Sequence, residues 1–406
     1  MAIAGQRSFA ALHHPGYRAY FICSALSMMA DSIEHVISYW ILFEKFQSPA
    51  LGGVAILTHW LPFLFFSVYS GALADRFDPK KVMLAGIALF MLASLGWGLL
   101  FLTDVLEQWH AMVLLVIHGL AGVLWQPASQ LIVHDIVGHK ELQSAVRLMS
   151  TARYLGILLG AAVGAVLMSL AGPDLGILLN ILVYLPLFIW LLRAPYGSAP
   201  APGTRHSPAG IASILPLVRE VSSNRTIVFM TLLAGAASLF VGNAYQPQMP
   251  EFAHHLGHAD AGLAYSMLLS ADAAGALVAG LVLESRSLLP VRERTAFILT
   301  MLWCLSIAGF AASGNYLLAL AMLFVSGFLN LAASAMSQTL VQLAAPEHLR
   351  GRIVGLYNMS GLGMRAFSGV TVGVLGALIG IHWSLALSAM ALLALTAVLL
   401  GLSHRR

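Results

Sequence analysis

Charge is what this sequence lacks. Only 9% of its 406 residues are Asp, Glu, Lys or Arg, against about 25% in a soluble domain. With 59% hydrophobic residues and a mean hydropathy of +0.84, the chain cannot supply the polar shell of a water-soluble enzyme. Cysteine is nearly absent too. Cys23 and Cys304 both lie in apolar runs, so no disulfide framework is implied. No Gly-x-x-x-x-Gly-Lys-Ser/Thr string occurs, so the sequence offers no ATP-binding loop, and no cofactor is expected. The start, Met1–Pro15, is polar, and no small-residue cleavage site follows a short apolar stretch. The first apolar segment is therefore expected to stay as a membrane span. The net charge of +4 comes without stacking aromatics on one basic face, so no nucleic-acid partner is expected.

What the chain has instead is long apolar runs. A span needs about 20 such residues. Twelve candidates stand at residues 17–43, 50–74, 81–102, 109–133, 143–171, 175–193, 226–250, 260–283, 294–313, 315–343, 352–379 and 382–403. Between the sixth and seventh lies a stretch with Pro195, Gly197, Pro200, Pro202, Gly203, Pro208 and Gly210, a linker by composition. The expected organisation is a six-helix bundle over 1–194, a linker over 195–224 and a second six-helix bundle over 225–406. The halves echo each other. Gly138-His-Lys-Glu141-Leu142 returns as Ala345-Pro-Glu347-His-Leu349, and Gly71-Ala-Leu-Ala-Asp75 as Gly280-Leu-Val-Leu-Glu284. The acidic positions make a duplicated unit a better account than chance likeness between apolar strings.

Positive charge sets the expected orientation. With both termini cytoplasmic, 18 of the 21 Lys and Arg fall on the inner side, Lys45 falls outside, and Arg153 and Arg365 fall within spans. The densest knot of charge is Gly71-Ala-Leu-Ala-Asp75-Arg76-Phe-Asp78-Pro79-Lys80-Lys81, set between runs 50–70 and 82–102 that carry no Asp, Glu, Lys or Arg. Such a knot marks a tight loop at a membrane surface.

Twelve spans in two halves, a central linker and Gly71-x-Leu-x-Asp75-Arg76-x-x-x-Lys80-Lys81 resemble the major facilitator superfamily. Asp75-Arg76-Phe-Asp78-Pro-Lys80-Lys81-Val-Met, Gln126-Pro127-Ala128, Glu141-Leu-Gln-Ser-Ala145 and Leu349-Arg350-Gly351-Arg352-Ile-Val-Gly355-Leu-Tyr357 are similar to its secretion-effector and exporter branch, which includes enterobactin exporters and macrolide efflux proteins. The resemblance implies an all-α polytopic membrane protein of 12 transmembrane helices in two pseudo-symmetric halves. It also implies a monomer in the bacterial inner membrane and a midplane site reached by alternating access. It implies proton-driven efflux of an amphipathic small molecule, a drug or a siderophore, with importer, facilitator or lipid transporter as the alternative. An intramembrane enzyme or a non-transporting receptor fits less well, because no catalytic signature accompanies the fold. By the same resemblance Gly71, Asp75, Arg76, Lys80, Gly351 and Arg352 form a conformational latch, with Asp75 at the start of the eleventh helix. Three departures stand out. Asp78 and Pro79 replace a Gly and an Arg of the loop. The fourth span reads Val116-Ile-His118-Gly119 where proton-coupled members carry Arg. The fifth-span antiporter pattern has Ala161 and Ala165 in place of Pro and Gly.

Five charges fall inside spans: Asp31, Glu34, Arg153, Asp272 and Arg365. Each costs roughly 2.5–3.5 kcal/mol at the bilayer centre on insertion scales, so each is paired or functional. Asp31, Glu34 and His35 share one helical face. They are candidates for proton binding or for recognising a cation. The alternative is an ion pair with Arg153 or Arg365 that locks helices together. Asp272 is a second proton candidate or a partner for Arg365. His59 and His118 read more simply as hydrogen-bonded packing residues. The outer-loop His254 and His258, four residues apart, could hold a transition metal with a carboxylate, but on a short loop without Cys the solvated reading is preferred and no metal site is expected. Tyr39, Trp125, Tyr154, Asn243, Tyr245, Gln246, Asn330, Ser334, Gln338 and Tyr357 are candidate cavity walls, with packing or an interfacial belt as the alternative.

Overall fold

A computed structural model describes residues 9–196, 218–219, 221–257, 261–285, 290–346 and 350–404. Helices follow the apolar runs. The first four are α1 (Pro15–Phe46), α2 (Pro49–Arg76), α3 (Pro79–Leu102) and α4 (Gln108–Arg193). After the linker come α5 (Arg225–Phe240), the short α6 (Met249–His255), α7 (Ala261–Ser285), α8 (Glu293–Ala311) and α9 (Tyr316–Ala344). The chain ends with α10 (Ile353–Ile379) and α11 (Ile381–His404). Among the described residues there is no strand.

Local chemistry fixes where these helices begin. Ser48 caps α2 by accepting from Leu51 N at 3.3 Å, and Pro49 takes the first helical position. Asp78 caps α3 by accepting from Lys80 N at 2.9 Å, with Pro79 next. The two residues that depart from the superfamily loop thus form a helix start. Asn224 and Asn315 cap α5 and α9 in the same way.

Nine helical stretches are long and apolar enough to cross a membrane among the described residues, which makes the chain a multi-pass membrane protein. The count differs from twelve for three reasons. α1 carries Asp31, Glu34, Glu44 and Lys45 in its 32 residues. The fifth and sixth expected spans run on as Thr151–Arg193, broken at Gly172, where φ is 80°. The seventh ends early: α5 stops at Phe240, and the chain turns through Gly242 (φ 49°) to α6. The twelve apolar runs remain compatible with this helix order. On α3, Leu92, Leu95, Leu99 and Leu102 stay exposed at helical spacing, the face a helix turns to lipid.

Gly156, Gly160 and Gly164 let α4 lie on α1. A Cβ on Gly156 would meet Ala25 O at 2.6 Å, and one on Gly164 would meet Val36 at 3.1 Å. The buried apolar residues form clusters within each segment, and one further cluster joins the two. In the joining cluster Val36, Ile56 and Trp60 pack with Tyr245, Tyr265 and Val372. Tyr265 Oη donates to Val36 O at 2.7 Å, and Gln248 Nε2 donates to Pro49 O at 2.9 Å. Gly53 lies against Gly369 and Gly373. These contacts gather where α1 ends and α2 begins.

Candidate functional site

α1 places Asp31, Glu34 and His35 one turn apart, and α4 and α2 bring up His118 and His59. His118 sits between the two acids. Its Nδ1 is 2.7 Å from Glu34 Oε1 and its Nε2 is 2.8 Å from Asp31 Oδ1. A carboxylate can only accept, so with both acids ionised the ring carries both protons. Glu34 also accepts from the Ser94 hydroxyl. Asn180 Nδ2 donates to Ala30 O at 2.8 Å and stands 3.5 Å from Ser94 Oγ. Glu34 and His118 are buried, whereas Asp31 and His35 keep side-chain exposures of 27% and 20%. The cluster is thus closed on the α3 side and reachable on the Asp31 side.

The expected partners of the acids change accordingly. Among the described residues no ion pair joins Asp31 or Glu34 to Arg153 or Arg365; histidine takes that place. His118, read from sequence as packing, is the centre of the cluster. His59 stands beside it, with the rings of His35, His59 and His118 mutually 4.8–5.1 Å apart. The signal was present at His118, in the stretch of the fourth span that departs from the Arg expected of proton-coupled relatives. Its partners lie 84 and 87 residues away, beyond any helical periodicity.

The second constellation lies after the linker. Tyr245 Oη donates to Asp272 Oδ2 at 3.1 Å. Asp272 Oδ1 is buried without a hydrogen-bond partner among the described residues, with Ser326 beside it. Arg365 lies over the Trp60 ring, its Cζ 4.9 Å from the centroid, and its Nε is likewise buried and unpartnered. Asp272 and Arg365 form no ion pair. Arg153, Tyr154, Tyr245 and Tyr357 share the electrostatic surroundings of Arg365. Arg153 is exposed.

The remaining candidates divide. Tyr39 is buried, with its ring 5.2 Å from that of His35. Trp125 packs inside the first segment, with its Nε1 unpartnered among the described residues. Asn243 donates to Gln246 at 3.2 Å, in the turn after α5. On α9, Ser334 and Gln338 are exposed on the stripe that begins at Asn330, and Tyr357 Oη is 3.4 Å from Ser334 O. Lys80 Nζ donates to Ala194 O at 3.0 Å. The other latch residues, Gly71, Asp75, Arg76, Gly351 and Arg352, lie outside the described side chains, as His258 lies outside the described residues. His255 pairs with His382 at 3.2 Å, so the outer loop is less purely solvated than its sequence suggests.

Comparison with known proteins agrees with this architecture. The sequence model of the Major Facilitator Superfamily matches residues 20–369. The chain is 26% identical to the enterobactin exporter EntS of Citrobacter koseri, over 90% of this chain and 86% of that protein. Among solved structures, the nucleoside transporter NupG superposes with a TM-score of 0.76 at 14% identity, covering 97% of this chain and all of that one. A bacterial homologue of the human lysosomal transporter Spinster, inward-facing and unoccupied, superposes with a TM-score of 0.73 at 13% identity, covering 97% of each chain. At these identities the structures attest the fold alone.

Proposed function

Because this chain belongs to the major facilitator superfamily, we propose that it is a proton-driven exporter of an amphipathic small molecule, of the siderophore or drug class, in a bacterial inner membrane. The likeness to enterobactin exporters over 90% of the chain supports the direction and the siderophore class. The observation that carries the mechanism is the pair of charges left without ion partners among the described residues on membrane-crossing helices, Asp272 and Arg365. A charge in lipid without a partner is costly unless something else visits it. Arg365 stands where the two segments meet, on Trp60, and would take an anionic group of the cargo. Asp272, which accepts from Tyr245 through Oδ2 and has Ser326 beside it, would take the proton.

In this reading residues 1–194 and 225–406 are two rigid halves that rock about that site, joined by the 195–224 linker. With both termini cytoplasmic, the contacts at Gly53, Val36 and Gln248 would fall on the periplasmic side, which supports a state closed there and open inward. Cargo enters from the cytoplasm and binds Arg365. Reorientation exposes it outward, where protonation of Asp272 resets the cycle.

Inside-out vesicles test this. An imposed gradient, acid inside, should drive cargo uptake into the vesicles, and Asp272→Asn should abolish the dependence on the gradient. Transport in the opposite direction, or an Asp272→Asn variant that still follows the gradient, would overturn the reading.

A further inference from the structure

We infer that His35, His59 and His118, together with Asp31, form a binding site for a divalent transition-metal cation of the zinc type. The site goes beyond the export reading and does not depend on it. The first observation is convergence. One ligand nitrogen from each of the three rings lies within 4.8 Å of the others. Some point therefore lies within about 2.8 Å of all three, and zinc–nitrogen bonds are about 2.0–2.1 Å. Each ring therefore closes in by under about 1 Å on binding.

The second observation is which ligand atoms are free. His35 Nδ1 donates to Asp31 O at 2.7 Å, so the lone pair of the neutral ring sits on Nε2, which makes no hydrogen bond among the described residues. His59 Nδ1 is buried and has no hydrogen-bond partner among the described residues, in a residue only 7% exposed. An imidazole nitrogen facing a helix interior with nothing to bind is costly, and a cation relieves it.

The third observation is the support around His118. Metal-bound imidazoles characteristically give their other ring N–H to a carboxylate. Glu34 is that carboxylate, at 2.7 Å from Nδ1, and Ser94 holds Glu34 in turn. Nε2 then faces the metal. Asp31, now 2.8 Å from Nε2, exchanges that contact for the cation and becomes the fourth ligand. The result is three imidazoles and one carboxylate in a four-coordinate set, which suits zinc, cobalt or nickel better than magnesium or calcium. Charge agrees as well. Asp31 and Glu34 bring two negative charges and the cation two positive ones, so the filled site is neutral at a depth where lipid tolerates little else.

The experiment uses the full-length protein, purified in detergent and stripped with chelator. Equilibrium dialysis against Zn²⁺, Co²⁺ and Ni²⁺ separately should give one bound ion per chain, with Mg²⁺ and Ca²⁺ failing to compete. X-ray absorption on the zinc-loaded wild type should show an imidazole-rich shell of nitrogen and oxygen without sulfur. That measurement needs no variant to fold. His59→Gln and His118→Gln should abolish binding, Glu34→Gln should weaken it about 10–100-fold through His118, and Asp272→Asn should leave it unchanged. No bound ion, a shell of oxygens alone, or binding indifferent to His59→Gln would overturn the inference. None of these readouts measures transport, so their failure is distinct from failure of the export reading.

Discussion

The helices before residue 196 and those after residue 218 handle intramembrane charge in opposite ways. In the first segment the charged groups satisfy each other: Glu34, His118, Asp31 and His35 form one chain of contacts, backed by Ser94. In the second, Asp272 and Arg365 stand apart, each with a buried polar atom that lacks a partner among the described residues. The contrast arises on a shared frame. Gly119 on α4 presses against the His59 backbone, and Gly327 on α9 against the Asp272 backbone. These glycines are 208 residues apart (327 − 119), in line with the echo between Gly71 and Gly280. Two matching helix contacts thus sit beside different intramembrane chemistry. The paired acids of the first segment leave the neighbouring imidazole of His59 with a buried atom unpartnered among the described residues, whereas both charges of the second are left unsatisfied and invite a ligand.

The largest expected effect breaks the closed cluster. His118→Ala leaves Asp31 and Glu34 facing each other without the ring between them. Removing one partner of a buried pair costs about 3–5 kcal/mol. Thermal unfolding in detergent should show a large drop for His118→Ala and partial recovery when Asp31→Asn and Glu34→Gln are added. An unchanged midpoint would mean that the cluster does not hold α1 to α4.

Next comes the shared frame. A side chain at Gly327 would collide with the Asp272 carbonyl. Gly327→Val should force α7 and α9 apart, with overpacking costing about 1–3 kcal/mol, and should also disturb Asp272. If Gly327→Val matches the wild type in both unfolding and gradient-driven transport, the proposed parallel with Gly119 fails.

Arg365 offers a smaller and more local test. Its guanidinium is planar and stacks on Trp60, which an ammonium does less well. Arg365→Lys should weaken cargo binding by the loss of roughly 0.5–2 kcal/mol of cation–π attraction. Trp60→Leu should do the same, and the double variant should add little, because both remove one contact. Additive losses would show that Arg365 meets cargo without help from Trp60.

The sequence displayed this contrast unevenly. Helix positions were legible because apolar runs and caps such as Ser48, Asp78 and Asn315 are local. Asp31, Glu34 and His35 were legible as a group because four residues make one turn. The role of His118 was not, since it depends on α4 crossing α1, and its stretch read first as the loss of a familial Arg. Pairing between Asp272 and Arg365 was a reasonable expectation from opposite charges. The fold instead gives Asp272 to Tyr245 and Arg365 to Trp60. Helical pattern specifies which face a residue occupies; which neighbour meets that face is decided by packing across the whole bundle.

The smallest effect concerns the seal between the segments. Glu251 on α6 lines a small cavity with Tyr39, Ser48 and Gln248, beside the Gln248–Pro49 hydrogen bond. Burial alone raises its carboxyl from the usual value to about 7. The folded protein therefore holds a proton that the unfolded chain releases, and its stability falls as pH rises from about 4.5 through 7. Because Glu251 is only partly buried, solvent screening keeps the effect modest. The seal should loosen slightly between pH 5 and pH 8, roughly the range that linkage assigns to such a group. Glu251→Gln, neutral throughout, should flatten that slope while leaving the low-pH unfolding midpoint where it was. A cysteine placed at Ser48 in the detergent-purified protein should then be labelled faster at high pH with Glu251 present and not with Glu251→Gln. Equal pH slopes in the two proteins would remove Glu251 from the seal and leave Gln248 and Tyr265 as its polar contacts.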